Sequence, residues 1–115
     1  MPTTLSASSN PEKKSSLIVT AAFTDPDGNA VTPEDGLKWH LTDETGRVTI
    51  NDRADVALTE DTSVTIALTG DDLDLFGAGD DGVRRLTVEG TYSFGGAILD
   101  LTDYVQFTIN DIPAV

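Results

Sequence analysis

The chain has 115 residues, no cysteine, and 20 Asp and Glu against 7 Lys and Arg, for a formal charge of −13. That length is one domain able to bury about two-thirds of its unfolded surface without staples, and the missing thiols exclude disulfides, Cys-ligated zinc and thiol nucleophiles. The charge opposes nucleic acid and anionic lipid at long range, so neither is an expected partner.

Residues 1–14 are rich in Ser, Thr, Asn and Pro and read as a flexible arm or an edge strand. The folded domain is expected over 15–112, with a short tail at 113–115. No apolar run reaches signal-peptide or membrane-spanning length, so the expectation is neither secretion by such a signal nor a membrane span. The lack of cysteine fits folding in a reducing cytoplasm.

Ser16–Thr24 alternates, with Leu17, Val19, Ala21 and Phe23 on one face, which is the strand period. Asp25-Pro26-Asp27-Gly28-Asn29 then reads as a turn. Asp25, Asp27 and Asn29 mimic the first ligands of a Ca²⁺ loop. The glycine, however, stands at the fourth place instead of the sixth, and Gly36 occupies the place of the closing Glu, so the EF-hand reading fails.

Gly36–Thr42 carries the only Trp and the only His. Its alternation sends Leu37, Trp39 and Leu41 inward and Lys38, His40 and Thr42 outward. Trp39, with the largest apolar surface of any side chain, is the natural centre of a two-sheet core. Asp43–Gly46 is a turn, Arg47–Ile50 a short returning strand, and Val56 and Leu58 resume the pattern after a polar break. Thr62–Thr69 is a clean strand with Val64, Ile66 and Leu68 inward. Gly70–Phe76 looks like one helical turn, with acids at its start and Leu73 and Phe76 capping the core. A surface loop follows through Gly82.

Val83–Phe94 and Ala97–Ile109 flank Gly95-Gly96, a dipeptide suited to a two-residue hairpin. If Phe94 opposes Ala97, then Tyr92 opposes Leu99 and Leu86 opposes Val105, and Leu86, Val88, Tyr92, Val105 and Phe107 all face the core. Asp103 falls at inward parity opposite Val88, where a lone carboxylate is costly, so a local distortion or an Arg partner is expected. Arg84 and Arg85 point to opposite faces, with Asp80, Asp81 or Asp103 as candidate partners.

Seven or eight such strands with almost no helix predict an all-β antiparallel β-sandwich with Greek-key connections, a barrel being the alternative fold. The chemistry on offer is sparse. Asp71, Asp72, Asp74, Asp80 and Asp81 are the candidate Ca²⁺ ligands, since carboxylates from two loop ends can converge on a hard cation, although a solvated acidic loop is the stronger reading. His40 lies on the outward face with no second His, and no Ser stands in GxSxG. The expectation is a non-enzyme that requires no cofactor.

FTDPDGNAVTP, LKWHLTDETGRVTIN, VTIALTGDDLDLF, RRLTVEGTYSF and LDLTDYVQFTI, in that order, cover residues 16–110 and together resemble the short immunoglobulin-like proteins encoded among structural genes of tailed bacteriophages and prophages. The resemblance implies a non-catalytic, virion- or tail-associated accessory protein, assembled in the bacterial host cytoplasm. It further implies contacts with other phage structural proteins or a host-surface component. The pattern carries no defined active site. Trp39 looks like the core Trp of the third immunoglobulin strand, whereas the disulfide cysteines and the tyrosine corner are missing. The alternative is a carbohydrate or cell-surface binding module, with or without Ca²⁺, for which Tyr104 is the main outward aromatic.

Overall fold

The computed structural model describes residues 3–7, 16–34, 36–74 and 82–109, with the backbone alone for 3–7. Seven strands lie among them: β1 (Thr3–Ala7), β2 (Ser16–Phe23), β3 (Lys38–Asp43), β4 (Val56–Ala57), β5 (Ser63–Thr69), β6 (Val83–Phe94) and β7 (Ala97–Thr108). They form two antiparallel sheets, one ordered β1-β2-β5 and the other β4-β3-β6-β7. The only helix among the described residues is a single 3₁₀ turn, Gly70–Leu73. The chain is an all-β sandwich.

The inward rows of both sheets make one core. Leu17, Val19, Ala21 and Phe23 of β2 and Val64, Ile66 and Leu68 of β5 meet Trp39 and Leu41 of β3 and Leu86, Val88 and Tyr92 of β6. Leu37, just before β3, is buried with them, as are Leu101 and Phe107 of β7, while Val105 is half-buried against the cluster. Each such side chain contributes roughly 1.5–3 kcal/mol by leaving water. Ile50, Leu73 and Ile109 close the core outside the strands.

The hairpin register is the one its Gly-Gly turn demands: Phe94 pairs with Ala97, Tyr92 with Leu99, and Leu86 with Val105. Gly95 and Gly96 have φ of +61° and +80°, the left-handed pair that a two-residue turn requires and that side chains resist. The hairpin overhangs its neighbour, since β3 pairs only with Arg84–Glu89. Beyond that point Leu99 and Ile98 are exposed, despite Leu99 having inward parity. The edge left by β3 is partly covered where the Glu34 N–H donates to the Thr91 carbonyl at 2.7 Å. Gly90 sits where this segment crosses Leu37, and a Cβ there would lie 3.1 Å from Leu37 Cδ1.

Several expectations need correction. Arg47–Ile50 is not a strand; it makes one bridge, Thr42 to Thr49, because the buried Ile50 turns back and its N–H donates to Leu41. The resumed pattern after the polar break yields only the two-residue β4. Asp103 neither distorts the ladder nor finds an Arg. It pairs regularly with Val88 and stays half-buried, and its Oδ1 accepts the Tyr104 N–H at 2.9 Å. Edge position supplies the solvent that a central strand would deny it. Arg84 points inward and is buried, its guanidinium donating to the carbonyls of Val83 (3.0 Å) and Asp74 (3.2 Å). Phe76 and the loop after it lie outside the described residues.

Candidate functional site: the outer face of the four-stranded sheet

Register arranges the outward side chains in rows across β3, β6 and β7. Thr42, Arg85 and Gln106 form one row; His40, Thr87 and Tyr104 the next; Lys38, Glu89 and Thr102 the third. At one end of this face lies a polar cluster. The loop between Ile50 and β4 brings Asp55 over it, with Asn51, Asp52 and Asp55 all at positive φ (50°, 56° and 52°), a conformation that Asn and Asp tolerate better than other side chains.

The cluster is closed by its own hydrogen bonds. The Asp55 N–H donates to His40 Nδ1 at 3.1 Å, which leaves the proton of a neutral imidazole on Nε2, facing Glu89 Oε1 at 3.1 Å. The Lys38 ammonium bridges the two carboxylates, 3.2 Å from Asp55 and 3.3 Å from Glu89. His40 holds the Glu89 carboxyl below its usual range, with Lys38 assisting, and Asp55 in turn raises Lys38. Ligand atoms of His40, Asp55 and Glu89 lie within 4.8 Å of one another, a donor set that suits a dication in principle. Coordination through Nε2 would move the proton to Nδ1, break the Asp55 hydrogen bond and expel Lys38. The arrangement is therefore a polar clasp between loop and sheet in which an ammonium already occupies the cation position.

The other end of the face carries Arg85 over the Tyr104 ring, its guanidinium carbon 4.3 Å from the ring centroid. Beside it is an open depression of about 320 Å³ lined by His40, Thr42, Gly46, Thr49, Arg85 and Thr87. A second, of about 390 Å³, adjoins the Lys38–Glu89 pair and is lined by Gly36, Gly90, Thr91, Asp100 and Thr102.

Of the acidic residues expected as Ca²⁺ ligands, the described ones, Asp71, Asp72 and Asp74, form no cluster of converging ligand atoms. Asp72 is buried and fully engaged: it accepts from Arg53 Nε (2.7 Å) and Nη2 (3.2 Å), Asn51 Nδ2 (2.9 Å) and the Thr69 N–H (3.2 Å). Burial alone would raise its carboxyl pKa, but those four donors outweigh it and hold the group below the ordinary value. Asp71 is exposed and Asp74 half-buried, its backbone carbonyl taken by Arg84. Asp80 and Asp81 lie outside the described residues. Asp25 Oδ1 accepts the N–H groups of Asp27 (2.9 Å) and Asn29 (3.0 Å), and Gly28 has φ +86°, so that segment is a turn, as its composition indicates.

Arg53, Asp55 and Glu89 were absent from the sequence reading of this face. Glu89 was within reach, since it has outward parity on β6 and faces Lys38 once β3 and β6 pair. Arg53 and Asp55 sit in an irregular loop whose course no periodicity announces.

The fold defines an all-β protein of two facing antiparallel sheets. Compared with known proteins, it has no match: no family model, no curated protein and no solved structure matches the chain.

Proposed function

We propose that this chain is a non-catalytic, immunoglobulin-like structural or interaction module of a phage or prophage particle. The observation that carries the reading is the strand order, β1-β2-β5 facing β4-β3-β6-β7. That order places the first, second and fifth strands together and the third, sixth and seventh together, as immunoglobulin-like sandwiches do, while the fourth strand pairs with the third instead of lying in the sheet of the first and second. Trp39 on β3 stands where such a fold puts its core tryptophan. The ordered motifs that resemble those of phage-encoded immunoglobulin-like proteins suggest the particle context, and the acidic surface favours a basic protein partner over nucleic acid. Binding is then the work of loops and outward faces around a rigid core.

The reading is tested in a lysogen or infected host expressing the epitope-tagged chain. Particles are purified on a density gradient and blotted for the tag. Co-migration with particles after a high-salt wash supports the module; a tag confined to the soluble fraction overturns it.

A further inference from the structure

The depression beside Arg85 is lined by a cation that holds no carboxylate among the described residues. In a chain of 20 acids and 7 bases, carboxylate partners are plentiful. Lys38 holds two and Arg53 one. Arg85 has none among the described residues. Glu89, the outward carboxylate two places along the same strand, is committed to Lys38 and His40. Arg85 instead rests on the Tyr104 ring at 4.3 Å and reaches only a neutral acceptor, Gln106 Oε1, at 3.4 Å. Its Nε–H is buried without an acceptor. Its Nη1 is turned towards Gly46, where even a Cβ would stay 3.7 Å away.

A guanidinium fixed by a ring on one side, with donors to spare on the other, is organised before any ligand arrives. The depression of about 320 Å³ around it is also lined by Thr49 and Thr87. The Thr42 hydroxyl is already donating to the Asp43 and Arg85 carbonyls. We propose that this depression is an anion subsite that takes a carboxylate group, with Arg85 as its charge partner and Thr49 and Thr87 as neutral donors. A single cation in a domain of charge −13 suits a monoanion better than a phosphate dianion, and the guanidinium fork matches the two oxygens of a carboxylate. The site is a property of the sheet and stands apart from the particle reading above.

The test is an NMR titration of the full ¹⁵N-labelled chain at low ionic strength, where surface electrostatics are least screened. The probes are sodium acetate, sodium glucuronate and an N-capped tetrapeptide of uncharged side chains with a free C-terminal carboxylate, against glucose and inorganic phosphate. Saturable shifts at Gly46, Thr49, Thr87 and the Arg85 Nε–H with carboxylates, and none with glucose, are expected. The carboxylate that saturates lowest identifies the source: free acid, sugar acid or peptide end. Arg85→Gln should weaken binding about tenfold or more, as befits the loss of a charged hydrogen-bond partner. Thr87→Val, which keeps strand propensity and shape, should weaken it several-fold with the remaining spectrum unmoved. No saturable response to any carboxylate, an unchanged response in Arg85→Gln, or tighter binding of phosphate than of every carboxylate would overturn the proposal.

Discussion

Arg53 grips Asp72 through two parallel donors, Nε at 2.7 Å and Nη2 at 3.2 Å, while its guanidinium carbon lies 5.8 Å from the centroid of the Trp39 ring. One side chain thus ties the loop before β4 to the 3₁₀ turn after β5 and covers the core indole. Asp72 is buried while Arg53 is about 40% exposed, so the carboxylate carries most of the desolvation cost. Removing Arg53 strands that carboxylate, whereas removing Asp72 leaves a cation that can reach water. Arg53→Met should therefore cost about 2–4 kcal/mol in urea unfolding, and Asp72→Asn less. The double variant should cost clearly less than the sum of the two, as coupled partners do. Strict additivity would show that the pair contributes nothing.

Acid should find the same weak point. The carboxyl pKa values of Asp72, Glu89 and Asp43 are all depressed in the folded protein, so each group contributes stability above its unfolded value of about 4. That contribution is lost as pH falls through the folded value. Urea midpoints of the wild type should hold near neutrality and drop steeply below about pH 4. In Asp72→Asn the drop should be shallower, because the largest buried member no longer titrates. A parallel decline in both proteins would remove Asp72 from the explanation.

Trp39 is 6% exposed and lies in the shared core. Trp39→Ala should cost about 3–5 kcal/mol, the range for deleting a buried aromatic. Its fluorescence should be blue-shifted in the native state and move red on unfolding. A cost below about 1 kcal/mol would mean that the indole is exposed and open to binding.

Two glycines separate backbone need from packing need. Gly95→Asn keeps a residue that accepts positive φ and should change stability by less than about 0.5 kcal/mol, whereas Gly95→Val should cost more than about 1 kcal/mol. Gly90 is not in the left-handed region; its Cβ would meet Leu37 Cδ1 at 3.1 Å and Leu37 Cα at 3.4 Å. Gly90→Ala should therefore cost about 1–2 kcal/mol through overpacking, and the additional change Leu37→Val should recover part of it. Equal costs with and without Leu37→Val would show that Leu37 is not the obstacle.

The clasp at His40 gives a further expectation. Glu89→Gln removes one carboxylate from the Lys38 ammonium yet keeps an acceptor for His40, so stability should fall by less than about 1 kcal/mol, as for a half-exposed pair. His40→Ala also frees the Asp55 N–H, and its local effect should appear as faster amide exchange at Asp55 while the core amides are unchanged.

Period-2 patterning made the core legible from residue types alone: Leu17 to Phe23, Leu37 to Leu41 and Val64 to Leu68 all face inward as their alternation requires. The β6–β7 register was legible because a two-residue turn leaves only one parity. What stayed hidden depends on contacts distant in sequence. The inward Arg84 donates through Nη1 and Nη2 to two backbone carbonyls, contacts that no charge count reveals. Asp72 looked like one acid in a solvated run because Arg53 and Asn51 approach it from a loop with no repeat to read. His40 looked like a bare surface residue because its partners come from β6 and from that same loop.

The Gly95-Gly96 hairpin also sets an order of assembly. Its first pair, Phe94 with Ala97, closes over two intervening glycines, and every later pair down to Val83 with Thr108 adds to an existing ladder. The β2–β5 ladder has no such start, since even its nearest pair, Ala22 with Ser63, must close a loop of about forty residues against chain entropy. The β6–β7 ladder is thus expected to form before the β2–β5 and β3–β6 pairings, each of which closes a loop of about forty residues. In refolding kinetics, Leu86→Ala should give a φ-value of about 0.5 or more and Val19→Ala one near zero, so that the rate at which this protein reaches its native state is governed at its last two strands.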